Sequence, residues 1–147
     1  MSLSQKIIED LKKAMKAKDT SRVSCLRMLK TAMKNKQVEK GRDLEDKEIQ
    51  GVISSLVRKG QEAAKEFRGG DRPDLAAKEE DEIKIYYEYL PEQLTQADIE
   101  GILKEIISES SATGLKDLGT VMKAAMSRMG GKAQGKEVNE IARKLLS

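Results

Sequence analysis

Apolar residues in this chain recur at spacings of three and four, and no stretch sustains strict alternation. Leu3, Ile7, Leu11 and Met15 set the pattern, which returns in Val23, Leu26, Leu29 and Met33 and then in Ile49, Ile53, Leu56, Gly60, Ala63 and Phe67. A period near 3.6 is what one buried helix face requires, whereas a half-buried strand requires a period of two. Beyond the "DLAAKEEDEIKIYYEYL" segment the same spacing carries Ile99, Ile102, Leu103, Ile106 and Ile107. It then carries Leu118, Val121, Met122, Ala125 and Met129, and finally Val138, Ile141, Ala142 and Leu145. The spacing predicts seven helices and an all-α fold.

The breaks between these sets have local chemistry. "AKDTS" interrupts the first helix, and Asp19 or Thr20 supplies an oxygen to cap the second. Gly41, after Lys36 and Lys40, reads as a helix C-terminus. Gly60 sits on the third helix's apolar stripe, where a missing side chain admits a close neighbour. "RGGDRP" ends that helix and sets Pro73 at the first position of a fourth, which Leu90-Pro91 stops. Thr95 and Asp98 form a capping-box pattern for the fifth helix. The best boundary lies at Pro91 to Thr95. It predicts a four-helix N-terminal domain over residues 1–92 and a three-helix tail domain over 93–147.

At 147 residues, with 38% hydrophobic and 36% charged side chains, the chain buries a core without disulfides. The single cysteine, Cys25, fits a reducing compartment, and the charged N-terminus carries no secretory pattern, so a cytoplasmic location is expected. No run approaches the ~20 apolar residues of a membrane span, and no membrane partner is expected. Net charge is +3, unevenly placed. Residues 1–42 hold 12 basic and 4 acidic side chains, residues 43–92 hold 8 and 14, and residues 116–147 hold 7 and 3. Basic ends around an acidic middle point either to an anionic partner or to contacts between the two signs within the fold.

The second helix gathers Arg27, Lys30 and Lys34 on one face by their i, i+3, i+7 spacing. Near the C-terminus, "GGKAQGKE" falls one residue short of a phosphate-binding loop, with Glu137 where Ser or Thr would hold Mg²⁺. Such a loop joins a buried strand to a helix, and here it joins two amphipathic helices. Gly130 and Gly131 therefore read as the end of the sixth helix, and Gly135 as the entry to the seventh. Lys132 and Lys136 stand beside a helix N-terminus that suits a backbone phosphate.

Several chemistries are absent. There is no histidine, which removes His-based triads and general bases. Cys25 lies among Val23, Leu26 and Leu29 and reads as a buried thiol. The run "KEEDE" at 78–82 winds around a helix as a solvated face, and Tyr86, Tyr87 and Tyr89 read as rings covering the join between the two halves. No cofactor and no metal are expected.

Three long segments, "LSQKIIEDLKKAMKAKDTSRVSCLRMLKTAMKN", "GGDRPDLAAKEEDEIKIYYEYLPEQLT" and "GKAQGKEVNEIARKLL", together resemble the YqeY family over the whole chain. That family is similar to the C-terminal region of GatB, the subunit of a glutamine-dependent tRNA amidotransferase that recognises misacylated tRNA. The resemblance implies two helical domains and a tail that approaches tRNA. It also brings a carbon–nitrogen ligase classification with glutamine as amide donor, for which these residues offer neither an activated nucleophile nor a nucleotide site.

The resulting expectation is a non-catalytic tRNA-binding accessory module. Its contacts would be Arg27, Lys30 and Lys34 on the second helix with Lys123, Arg128, Lys132 and Lys136 in the tail. Gly119, Gly130, Gly131 and Gly135 would serve as turn scaffold and Asn139 as a polar anchor. The alternative is a protein-interaction module that docks on an amidotransferase or another translation enzyme through the acidic middle or an apolar helix face.

Overall fold

A computed structural model describes residues 2–147. It is all-helical: among the described residues there are seven α-helices, one short 3-10 turn and no strand. Backbone contacts divide the chain into two compact units, the first ending at Leu90 and the second running Pro91–Ser147. Pro91 and Glu92, assigned to the N-terminal domain by sequence, thus fall with the second unit.

The first unit contains α1 (Leu3–Lys16), α2 (Thr20–Lys40), α3 (Asp46–Gly69) and α4 (Pro73–Tyr87). Asp19 is the residue that caps α2, accepting from the Arg22 N–H at 3.2 Å. Gly41 closes the helix in the left-handed conformation at φ 71°. Pro73 occupies the first turn of α4. Ile7, Leu26, Leu29, Ile49, Ile53 and Val57 are fully or almost fully buried together, and each such aliphatic side chain contributes about 2 kcal/mol by leaving water.

The stripes of α1 and α3 differ from the expected ones. In α1 the inward residue after Leu11 is Ala14, while Met15 is 49% exposed. At 100° per residue, Ala14 lies only about 20° from Ile7 around the helix, whereas three steps of four residues drift away from the face. In α3 the buried set is Ile49, Ile53, Val57, Gly60 and Ala64, rotated by about 40° from the expected stripe, so that Leu56, Ala63 and Phe67 flank it. Gly60 does admit a close neighbour: a Cβ there would stand 3.0 Å from Ile83 Cγ1 of α4.

The helix α4 stops at Tyr87 rather than continuing to Leu90. Its end is tied down by side chains. The Tyr86 hydroxyl donates to the Cys25 carbonyl at 3.3 Å, and the Tyr89 hydroxyl donates to Asp10 Oδ2 at 2.6 Å. Arg22 makes a two-pronged contact with Glu88 at 2.6 and 3.4 Å. Tyr86 and Tyr89 are buried in the first unit's own core.

The second unit contains α5 (Gln96–Ser110), the 3-10 turn Leu115–Asp117, α6 (Leu118–Met129) and α7 (Gly135–Leu146). The capping box forms as its residues dictate: Thr95 Oγ1 accepts from the Asp98 N–H at 3.1 Å and Asp98 Oδ2 from the Thr95 N–H at 3.2 Å. Ile99, Leu103, Val121, Ala125, Met129, Val138 and Ala142 make the core. The extended lead-in is fixed to the α6–α7 loop, because the Leu94 N–H donates to the Lys132 carbonyl at 2.8 Å.

Candidate nucleic-acid interface

On α2, Arg27, Lys30 and Lys34 are all exposed and lie within about 60° of one another around the helix. Among the described residues none of the three makes an ion pair, nor do Lys12, Lys13, Lys16 and Lys18 at the end of α1 and the turn that follows it. The cations of this region that are engaged lie elsewhere. Arg22 meets Glu88 and Asp19, Lys36 meets Glu39, and Lys40 and Arg42 both hold Glu48. Those contacts, with the Arg42 guanidinium contributing most, hold the Glu48 carboxyl at about 2. The contacts between opposite signs thus gather at the two ends of α2 and leave its middle face and the end of α1 with unneutralised charge.

In the tail the charges are less available. Arg128 contacts Glu105 at 3.8 Å and Glu109 more closely, both from α5. Lys123 is exposed on α6 and makes no ion pair among the described residues. Lys132 lies in the loop, its N–H donating to the Met129 carbonyl at 2.8 Å, and Lys136 stands in the first turn of α7; both side chains are exposed. No side chain caps that turn, yet Glu137 occupies it as well, so a carboxylate already complements the positive helix end.

The loop glycines differ in what they do. Gly131 takes φ 76°, a conformation that disfavours other residues. Gly130 follows α6 at φ −43° without needing left-handed backbone. Gly135 is the first residue of α7 with no positive φ, and a Cβ added there would meet Met126 Cε at 3.9 Å, an ordinary contact. Gly119 stands inside α6 with open space where its side chain would be. Asn139 Oδ1 accepts from Arg143 Nε at 2.9 Å, a bond within α7.

Gln93 had no sequence signal, and it holds the loop in place. Its amide donates to the Gly131 carbonyl at 2.8 Å and to the Pro91 carbonyl at 2.9 Å. A glutamine two residues after a proline carries no pattern that announces a contact 38 residues away.

Cys25 is fully buried, its Sγ 3.6 Å from the Glu82 carbonyl, and burial pushes the thiol up to about 11. Such a thiol is a poor nucleophile. Among the described residues no group of three or more His, Cys, Asp or Glu side chains is arranged to hold a metal ion, and no helix is long and apolar enough to cross a membrane.

A family model described as Yqey-like protein matches residues 4–146. The chain belongs to the YqeY family. Curated relatives of this YqeY-family chain include proteins named "Altered inheritance of mitochondria protein 41, mitochondrial". The one from Lachancea thermotolerans is 34% identical over 116 residues, covering 74% of this chain and 62% of its own length. The one from Saccharomyces cerevisiae strain YJM789 is 34% identical over 102 residues, covering 67% and 55%. The one from Vanderwaltozyma polyspora is 27% identical over 118 residues, covering 75% and 63%. The chain therefore spans less than two thirds of the length of these relatives. Their names also overturn the cytoplasmic location expected from Cys25 and the N-terminus, since they place the relatives in mitochondria. A single reduced cysteine fits any reducing compartment, so it had no power to distinguish them.

Proposed function

We propose that this YqeY-family chain is a non-catalytic module that binds structured RNA, with tRNA as the substrate class. The primary contact is the face of α2 that carries Arg27, Lys30 and Lys34, extended by the lysines at the end of α1. The observation that carries this reading is the segregation of charge within the first unit. Ion pairs occupy cations at the two ends of α2, and the cations between them are left exposed and unneutralised. Lys and Arg side chains held that way attract a phosphate backbone and release its counterions.

In the tail, Lys123, Lys132 and Lys136 add a weaker, secondary contact, because Glu137 shares the start of α7 and Arg128 is engaged by α5. The absence of histidine and the buried, protonated Cys25 support a role without acyl-transfer chemistry of its own.

Titration of tRNA at several salt concentrations tests the proposal. The logarithm of the association constant should fall linearly with the logarithm of salt, by about 0.7 to 0.9 per phosphate contacted. Binding that is undetectable at low salt, or indifferent to salt, overturns it.

A further inference from the structure

Among the described residues, four large apolar side chains stand about half exposed or more: Met15, Met28, Val38 and Leu115. Two of them, Met15 and Met28, line one groove of about 1020 Å³ in the first unit, together with Val23 and with Leu56 of α3. Lys18 and Arg27 stand at its rim, and the residues that line it include no carboxylate and no aromatic ring. A second depression of about 600 Å³ shares Ala32, Asn35 and Leu56 with the first and carries the trough on past Lys36, Lys40 and Lys59. Its two carboxylates are already engaged, Glu39 by Lys36 and Glu48 by Lys40 and Arg42, so among the described residues Lys59 is the cation this stretch leaves without a counter-charge, as Lys18 and Arg27 are in the first. The trough follows α2 from Thr20 to Lys40, about 30 Å at 1.5 Å per residue.

We infer that this trough is a docking groove for an amphipathic helix of a partner protein, apolar on one face and acidic along its flanks. The length fits a helix of about twenty residues. Methionine thioethers on a groove floor adapt to aliphatic side chains of varied shape. The apolar floor asks for a leucine-type stripe, in the manner of helix-in-groove recognition, and the basic rim asks for carboxylates beside it. A nucleic acid would use the rim alone, because its phosphates gain nothing from Met15, Met28 and Leu56, and no ring is present for its bases to stack on. Lys18 and Arg27 at the rim also belong to the proposed RNA contact, so the two readings are told apart by the apolar floor, which a helix uses and a nucleic acid does not.

Two synthetic helical peptides with the same leucine stripe, one flanked by Glu and one by Lys, test it against the full chain carrying methyl-labelled methionine. The Glu-flanked peptide should bind about tenfold tighter than its Lys-flanked counterpart and should shift the methyl signals of Met15 and Met28. Replacing both exposed methionines, Met15→Ser with Met28→Ser, should weaken that peptide by at least about tenfold while leaving the melting temperature and the tRNA affinity unchanged. Equal affinity for the two peptides, equal affinity of the double variant, or shifts confined to other methionines would overturn the proposal. So would tRNA shifting these two methyls where the peptide does not, which assigns the groove to nucleic acid. Self-association that the double variant abolishes also overturns it, by assigning the groove to a second copy.

Discussion

The first unit and the tail both present clusters of basic side chains, but the two clusters differ in what surrounds the charge. On α2 the acidic partners lie at the helix ends, in the Arg22–Glu88 contact and in the Lys40 and Arg42 contacts to Glu48, and the face between them stays positive. In the tail, two carboxylates of α5 face Arg128 and a third shares the first turn of α7 with Lys136. Counting cations in a segment therefore overstates what the segment offers an anion. What matters is which cations the fold leaves without a counter-charge, and this depends on contacts between helices.

Four variants break or sharpen that contrast. The triple reversal of Arg27→Glu, Lys30→Glu and Lys34→Glu should lower tRNA affinity by about 100-fold and flatten its salt dependence by about three contacts, as read by filter binding at several salt concentrations. If affinity survives, the first unit is not the primary contact. Lys132→Glu with Lys136→Glu should cost about fivefold in the same measurement, since each contact there competes with Glu137. A loss equal to that of the triple variant would make the two clusters equivalent and erase the contrast.

Gly135→Ala should leave tRNA binding alone and raise stability by about 0.5 kcal/mol in thermal or denaturant unfolding, because the position is helical and a Cβ has room. Marked destabilisation would mean that the start of α7 needs a glycine after all. Arg128→Ala should be the smallest change, less than about twofold in affinity, since its guanidinium is engaged by Glu105 and Glu109. A larger loss would show that the tail's charge is available despite those contacts.

The parts of this fold that were legible from sequence rest on interactions a few residues apart. Thr95 and Asp98 announce their own capping box, Gly41 its left-handed terminus, and Pro73 the first turn of α4. Each depends on one side chain or one missing side chain near its own backbone. The faces of α1 and α3 were harder, because spacings of three and four admit neighbouring solutions. Ala14 and Met15 compete for one position, as do Leu56 and Val57, and only the opposing helix decides between them.

The candidate site was legible in part for the same reason. That Arg27, Lys30 and Lys34 share a face follows from helix geometry alone. That Arg128 meets Glu109, that Gln93 holds Gly131, and that Met15 and Met28 line one groove all require knowing which helices are neighbours. The end of α4 is set by similar long-range ties. Tyr89 reaches Asp10 and Glu88 reaches Arg22, so the chain leaves the helix before Pro91 forces it to.

Cys25, already noted as a poor nucleophile, gives the molecule a built-in clock. It is the single sulfhydryl of the chain, it is fully buried, and it belongs to the first unit's core. A thiol-alkylating reagent added to the folded protein can label it only when that core opens, so the labelling rate reports the opening equilibrium of the first unit alone. The second unit has no cysteine and is silent in the same experiment. One residue thus lets the opening of the first unit be timed by itself within the intact chain, with no need to cut it.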